Sequence, residues 1–134
     1  MLLLIAFLGC GKNPAIPDSG VRSSASVGSI TMLEGNYGIE NSFDCNGNLD
    51  VVVGQTIGKI QDCHNSVLRV NPNAKGMLNL EAKIIHGKVM SVKTASNATG
   101  APELSTCLEG IAKSWKFATA CTAMTSVSFN LSAK

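Results

Sequence analysis

Five cysteines stand in a chain of 134 residues: Cys10, Cys45, Cys63, Cys107 and Cys121. A thiol can carry a lipid, ligate a metal, attack a substrate or pair in a disulfide, and spacing separates these uses. Structural zinc sites draw ligands from close C-x₂₋₄-C pairs. Here the nearest two, Cys107 and Cys121, lie 14 positions apart. A C-x-x-C redox pair is absent. Cys63 precedes His64, but adjacent helical residues point about 100° apart, which does not make a nucleophile–base pair. Pairing remains, and three connectivities are open to Cys45, Cys63, Cys107 and Cys121. Free thiols in a reducing compartment are the alternative. Asp44 and Asp50 flank Asn46-Gly47-Asn48, but the spacing and terminal Glu of a calcium loop are missing, so a turn is expected. His64 and His86 are expected at the surface and Trp115 in the core. No catalytic residue, metal site or cofactor site is expected.

Pairing four cysteines leaves Cys10, and its surroundings suggest a reason. Leu2 to Leu8 form an apolar run, too short for a membrane-spanning helix of about 20 residues. The run fits the lower end of a signal-peptide apolar region, about 7–15 residues. Leu8-Gly9-Cys10 follows and resembles the lipobox of bacterial lipoproteins. There a small residue precedes the cysteine whose thiol receives the diacylglycerol. No Lys or Arg stands before the run, and Phe7 and Leu8 are bulkier than a strict lipobox prefers. The expectation is a signal peptide over 1–9, lipidation at Cys10 and membrane attachment through the acyl chains. Lys12 stands two places after the cysteine. By resemblance to enterobacterial sorting, that directs the chain to the outer membrane, facing the periplasm.

Composition excludes other classes. Charged residues make up 15% and the formal net charge is +2. The basic residues form no run, so nucleic-acid binding is not expected. With one Trp, one Tyr and four Phe, a stacking platform for single strands is also unsupported.

The cysteines need elements to hold them. Residues 10–28, with Pro14, Pro17, Gly20 and several serines, read as a lipidated cysteine and flexible tether. Residues 29–134 then form one α+β domain, of a size that is marginally stable without help. Ile30 to Leu33, Gly35-Asn36 and Tyr37 to Phe43 predict an N-terminal β-hairpin. Cys45 to Asn48 predict a turn and Leu49 to Val53 a short strand. Ile57, Ile60, Cys63, Val67 and Val70 recur at helical spacing, and Pro72 follows the helix. Gly76 to Ile85 alternates, His86-Gly87 is a tight turn, and Val89 to Thr94 returns. Ala95 to Ala101 reads as a loop. Pro102 to Lys116 carries a stripe of Leu104, Cys107, Leu108, Ile111, Ala112 and Trp115. Thr125 to Leu131 alternates as a last strand.

Two helices packed on one face of a small antiparallel sheet would bring Cys63 and Cys107 together. That arrangement favours Cys63–Cys107 and leaves Cys45 for Cys121. Such bonds persist only where the compartment is oxidising.

From about Gly54 to Leu131 the layout resembles the AgmX/PglI C-terminal family, which is related to the TonB C-terminal fold. The resemblance rests on Ile60 and Cys63 followed by Leu68, on Gly76 before the strand Met77 to Ile85, and on Gly87-Lys88-Val89 at the hairpin. Cys107 on the next helix and Trp115-Lys116-Phe117 at its close complete it. His64 stands where a Tyr commonly follows the first cysteine, and Ala118 replaces a usual Pro. The resemblance implies a TonB-like sheet and a periplasmic, non-enzymatic protein-interaction module in transport, motility or another envelope assembly. It implies no catalytic residues. A periplasmic small-ligand-binding or inhibitory module is the alternative.

Overall fold

The computed structural model describes residues 20–33 and 42–133. In chain order the elements are β1 (Ser23–Leu33), α1 (Ser42–Gln55), α2 (Ile57–Leu68), β2 (Gly76–Ile85), β3 (Lys88–Asn97), α3 (Pro102–Lys113) and β4 (Ala123–Ala133). The strands form one antiparallel sheet in the order β1-β4-β2-β3. β4 lies between β1 and β2, and β2 lies between β3 and β4. Two β-helix-β crossovers therefore interleave, each leaving room for the other's strand.

Alternation decides which face is covered. In β2, Leu78, Leu80, Ala82 and Ile84 are buried. They pair across β4 with Phe129, Val127, Thr125 and Ala123, all buried too. A period of two places both sets on one face. The helices close over that face. Ile60, Val67 and Leu68 of α2 join Leu104, Leu108 and Ala112 of α3 in one core with Leu78, Leu80 and Phe129. Pro102 starts α3 where its missing N–H costs nothing. A smaller cluster of Cys45, Leu49, Ile84, Cys121 and Ala123 fills one end.

The α+β class is as read from the sequence, with a four-stranded sheet and three described helices rather than two. The differences concentrate near the N-terminus. β1 begins at Ser23, inside the segment read as tether. Its core-side residues are as small as Ala25 and Val27, alternating with serines, and small polar residues mimic a linker. β1 pairs with β4 along its length, and no second strand precedes α1 among the described residues. Ser42 and Phe43, read as the end of a hairpin strand, open α1; residues 34–41 lie outside the described residues. The expected turn at Cys45–Asn48 and strand at Leu49–Val53 are both helix. Asn and Gly are poor helix formers, but Cys45, Leu49 and Val53 recur every fourth residue and all three are buried. That burial outweighs local propensity. β3 runs on to Asn97, through part of the expected loop.

The hairpin turn shows why glycine stands where it does. His86 has φ 50° and Gly87 φ 83°, the paired left-handed conformation of a two-residue turn. A Cβ on Gly87 would meet the Phe117 carbonyl oxygen at 2.5 Å and that of Ala118 at 2.7 Å. The turn docks on the segment after α3: Gly87 N–H donates to Cys121 O (2.8 Å), and Phe117 N–H donates to Gly87 O (2.9 Å).

Candidate interaction surface and cysteine framework

Both expected cysteine pairs are bonded, and the bridges differ in setting. Cys45 of α1 joins Cys121, just before β4, with Cα atoms 4.9 Å apart. Both residues are 0% exposed, within the small end cluster. The bond holds α1 to the sheet. Cys63 of α2 joins Cys107 of α3, with Cα atoms 6.3 Å apart. Here Cys63 is half-buried and Cys107 exposed. The buried stripe of α3 is Leu104, Leu108 and Ala112, so Cys107 lies beside that stripe and not in it. This bridge ties the two helices along their outer border.

Cys10 lies outside the described residues. No helix among the described residues is long and apolar enough to cross a membrane. Among them, no group of three or more His, Cys, Asp or Glu could hold a metal. Asp50 sits exposed on α1, a helix where a turn was expected.

His64 corrects the expectation of a surface residue. It is 0% exposed, on the inner face of α2. Its Nε2 lies 2.5 Å from Ala74 O and its Nδ1 2.7 Å from Ser23 Oγ. A carbonyl only accepts, so Nε2 carries the hydrogen and donates to Ala74, while the Ser23 hydroxyl donates to Nδ1. The ring thus joins α2, the start of β1 and the loop before β2. It points away from chemistry and into the fold. His86 is exposed, as read. Trp115 is buried, 2% exposed; its Nε1–H donates to Thr56 Oγ1 (3.2 Å), and its ring meets Phe117 edge-on, centroids 6.3 Å apart.

The two sheet edges are built differently. β3 carries Lys88 and Lys93, and its register against β2 shifts twice. Glu109 also reaches it: Thr94 N–H and Oγ1–H both donate to Glu109 Oε2, at 3.1 and 2.6 Å. Bulges, lysines and a satisfied edge amide are the devices that prevent a further strand from adding. β1 has fewer. Ser23–Leu33 contains no charged residue and shifts register once, between Val27 and Ser29. Among the described residues its first is tied from outside the sheet, by Ser23 N–H donating to Asn65 Oδ1 (2.7 Å). Among the described residues no strand pairs with its outer side.

The sheet face turned from the helices is rich in hydroxyls. Ser24, Ser26, Ser29 and Thr31 of β1 lie opposite Ser132, Asn130, Ser128 and Ser126 of β4. Next to them in β2, Glu81 meets Lys93 of β3 at 3.5 Å. Asn79 Oδ1 is buried there without a hydrogen-bond partner.

Compared with known protein families, curated proteins and solved structures, the chain matches none.

Proposed function

We propose that this chain is a non-enzymatic envelope lipoprotein, cleaved before Cys10, lipidated there and held at the outer membrane facing the periplasm. Its domain serves as a protein-interaction module that takes an extended segment of an envelope partner onto the β1 edge. The observation that carries this reading is the asymmetry of the edges: β3 is blunted by two register shifts, two lysines and Glu109, whereas β1 has one register shift and no charged residue. Main-chain pairing along an open edge gives affinity without a pocket. The two cysteine bridges support export, since such bonds endure in oxidising compartments. The layout resembling the AgmX/PglI C-terminal family supports a role in transport, motility or a related assembly.

A photo-crosslinking amino acid at Thr31 or at Ser91 tests the reading in intact cells. Adducts to an envelope protein are expected from Thr31 and not from Ser91. The exposed changes Ser26→Lys and Thr31→Lys should abolish capture by a crosslinker at Ser29 while leaving the melting temperature unchanged. Equal capture from both edges, or capture that survives the lysines, contradicts it.

A further inference from the structure

The basic residues form no run in the sequence, yet the fold gathers several of them. Where the β2–β3 turn docks on the segment after α3, an open cavity of about 450 Å³ is lined by His86, Lys88, Val89, Lys113, Lys116 and Phe117, with Trp115 behind them. No acidic residue lines it. A second depression, of about 320 Å³, shares Trp115 and Lys116 and adds Lys59. Two concavities that share a wall thus carry Lys59, Lys88, Lys113 and Lys116. Among the described residues, none of these four has a carboxylate within ion-pair distance, whereas Lys93 pairs with Glu81.

The position of these charges is built rather than incidental. The Gly87 and Phe117 backbone bonds fix Lys88 beside Lys116, which form an isolated antiparallel bridge. The end of α3 supplies Lys113, and Trp115 is anchored through Thr56. Lys88, Lys113 and Lys116 line one depression together with Val89, Trp115 and Phe117, and Lys59 lines its neighbour. A lysine is a compact point charge with rotatable donors and suits a tetrahedral oxyanion. Planar two-pronged recognition of a carboxylate is the work of arginine, and none lines either depression.

We propose that this cavity binds an organic phosphate, the phosphoryl group held by Lys88, Lys113 and Lys116 and its apolar part resting against Val89 and Phe117. A soluble phosphomonoester and the headgroup of an anionic phospholipid share this chemistry. The site lies at the hairpin end of the sheet and is independent of the β1-edge reading.

Calorimetric titration of the full chain in zwitterionic detergent tests it, with phenyl phosphate, benzoate, dihexanoyl phosphatidylglycerol and dihexanoyl phosphatidylcholine as probes. The expected result is saturable binding of phenyl phosphate or of the phosphatidylglycerol. Affinity should fall at least about tenfold in Lys88→Gln/Lys113→Gln/Lys116→Gln and weaken with added salt. Phenyl phosphate as the tighter probe identifies a soluble ligand, and phosphatidylglycerol as the tighter identifies a headgroup. All three lysines are exposed, so the variant should melt as the parent does. Should it not fold, the salt dependence and the preference for phenyl phosphate over benzoate still decide. Binding to neither phosphate probe, equal binding of benzoate, or undiminished binding by the folded variant overturns the proposal.

Discussion

The two bridges should contribute unequally, and removing them pairwise measures by how much. Cys45 and Cys121 are separated by 76 residues, and Cys63 and Cys107 by 44. The second loop lies wholly inside the first, so the bridges are nested and their effects are not independent. With the inner bond closed, the outer loop is effectively shortened to roughly 33 residues, and opening it costs about 4 kcal/mol in the chain-entropy account. Opening the inner bond while the outer remains costs about 3 kcal/mol on the same account. Packing widens the gap. Cys45 and Cys121 are fully buried, so Cys45→Ala/Cys121→Ala also leaves a void, bringing its loss to about 5 kcal/mol. Cys107 is exposed, so Cys63→Ala/Cys107→Ala adds little beyond entropy. For a domain this small, each kcal/mol moves the midpoint about 4–8 °C. Urea unfolding of both double variants reads the difference. Limited dithiothreitol treatment followed by alkylation and peptide mapping reads access: attack at exposed Cys107 proceeds in the folded state, while the buried bridge must wait for opening. A Cys63→Ala/Cys107→Ala variant that loses more than Cys45→Ala/Cys121→Ala, or bridges reduced at one common rate, would refute the reasoning.

Three further outcomes follow from single residues. His64→Ala should destabilise by about 3 kcal/mol, because it leaves the buried Ala74 O unpaired and takes the partner from the half-buried Ser23 hydroxyl; urea midpoints check this, and an unchanged midpoint contradicts the buried placement. Gly87→Ala should cost about 2–3 kcal/mol through backbone strain and contact with Phe117 and Ala118, read by thermal unfolding. Asn79→Thr should stabilise by about 1 kcal/mol, since it removes an unpaired acceptor from a strand and installs a β-branched residue; a lower melting temperature would mean that the carbonyl has a partner.

The C-terminal two-thirds of the fold was legible because period and punctuation agree there. Gly76–Ile85 alternates strictly and is β2, and the Leu104, Leu108 and Ala112 spacing is α3. The N-terminal third was less so. In β1 the alternation is carried by Ala25 and Val27 against serines, a pattern a tether also shows. In α1 the run Val51 to Val53 imitates a strand, and Asn46-Gly47-Asn48 imitates a turn. Only the four-residue recurrence of Cys45, Leu49 and Val53 signals a helix. The burial of His64 is not legible in the sequence because it depends on two partners, Ser23 and Ala74, that are distant or irregular in sequence. The candidate edge and the lysine cavity were not legible either. Strand order and the docking of residues 115–119 on the hairpin are properties of topology, which neither periodicity nor composition encodes.

The intact mass of the protein extracted from membranes decides whether the chain is the exported, lipid-anchored module proposed above. The expected species begins at Cys10 and is heavier by its acyl groups, with two disulfides and therefore four hydrogens fewer than the reduced form. A chain that retains Met1, a Cys10 without lipid, or four free thiols would contradict that proposal.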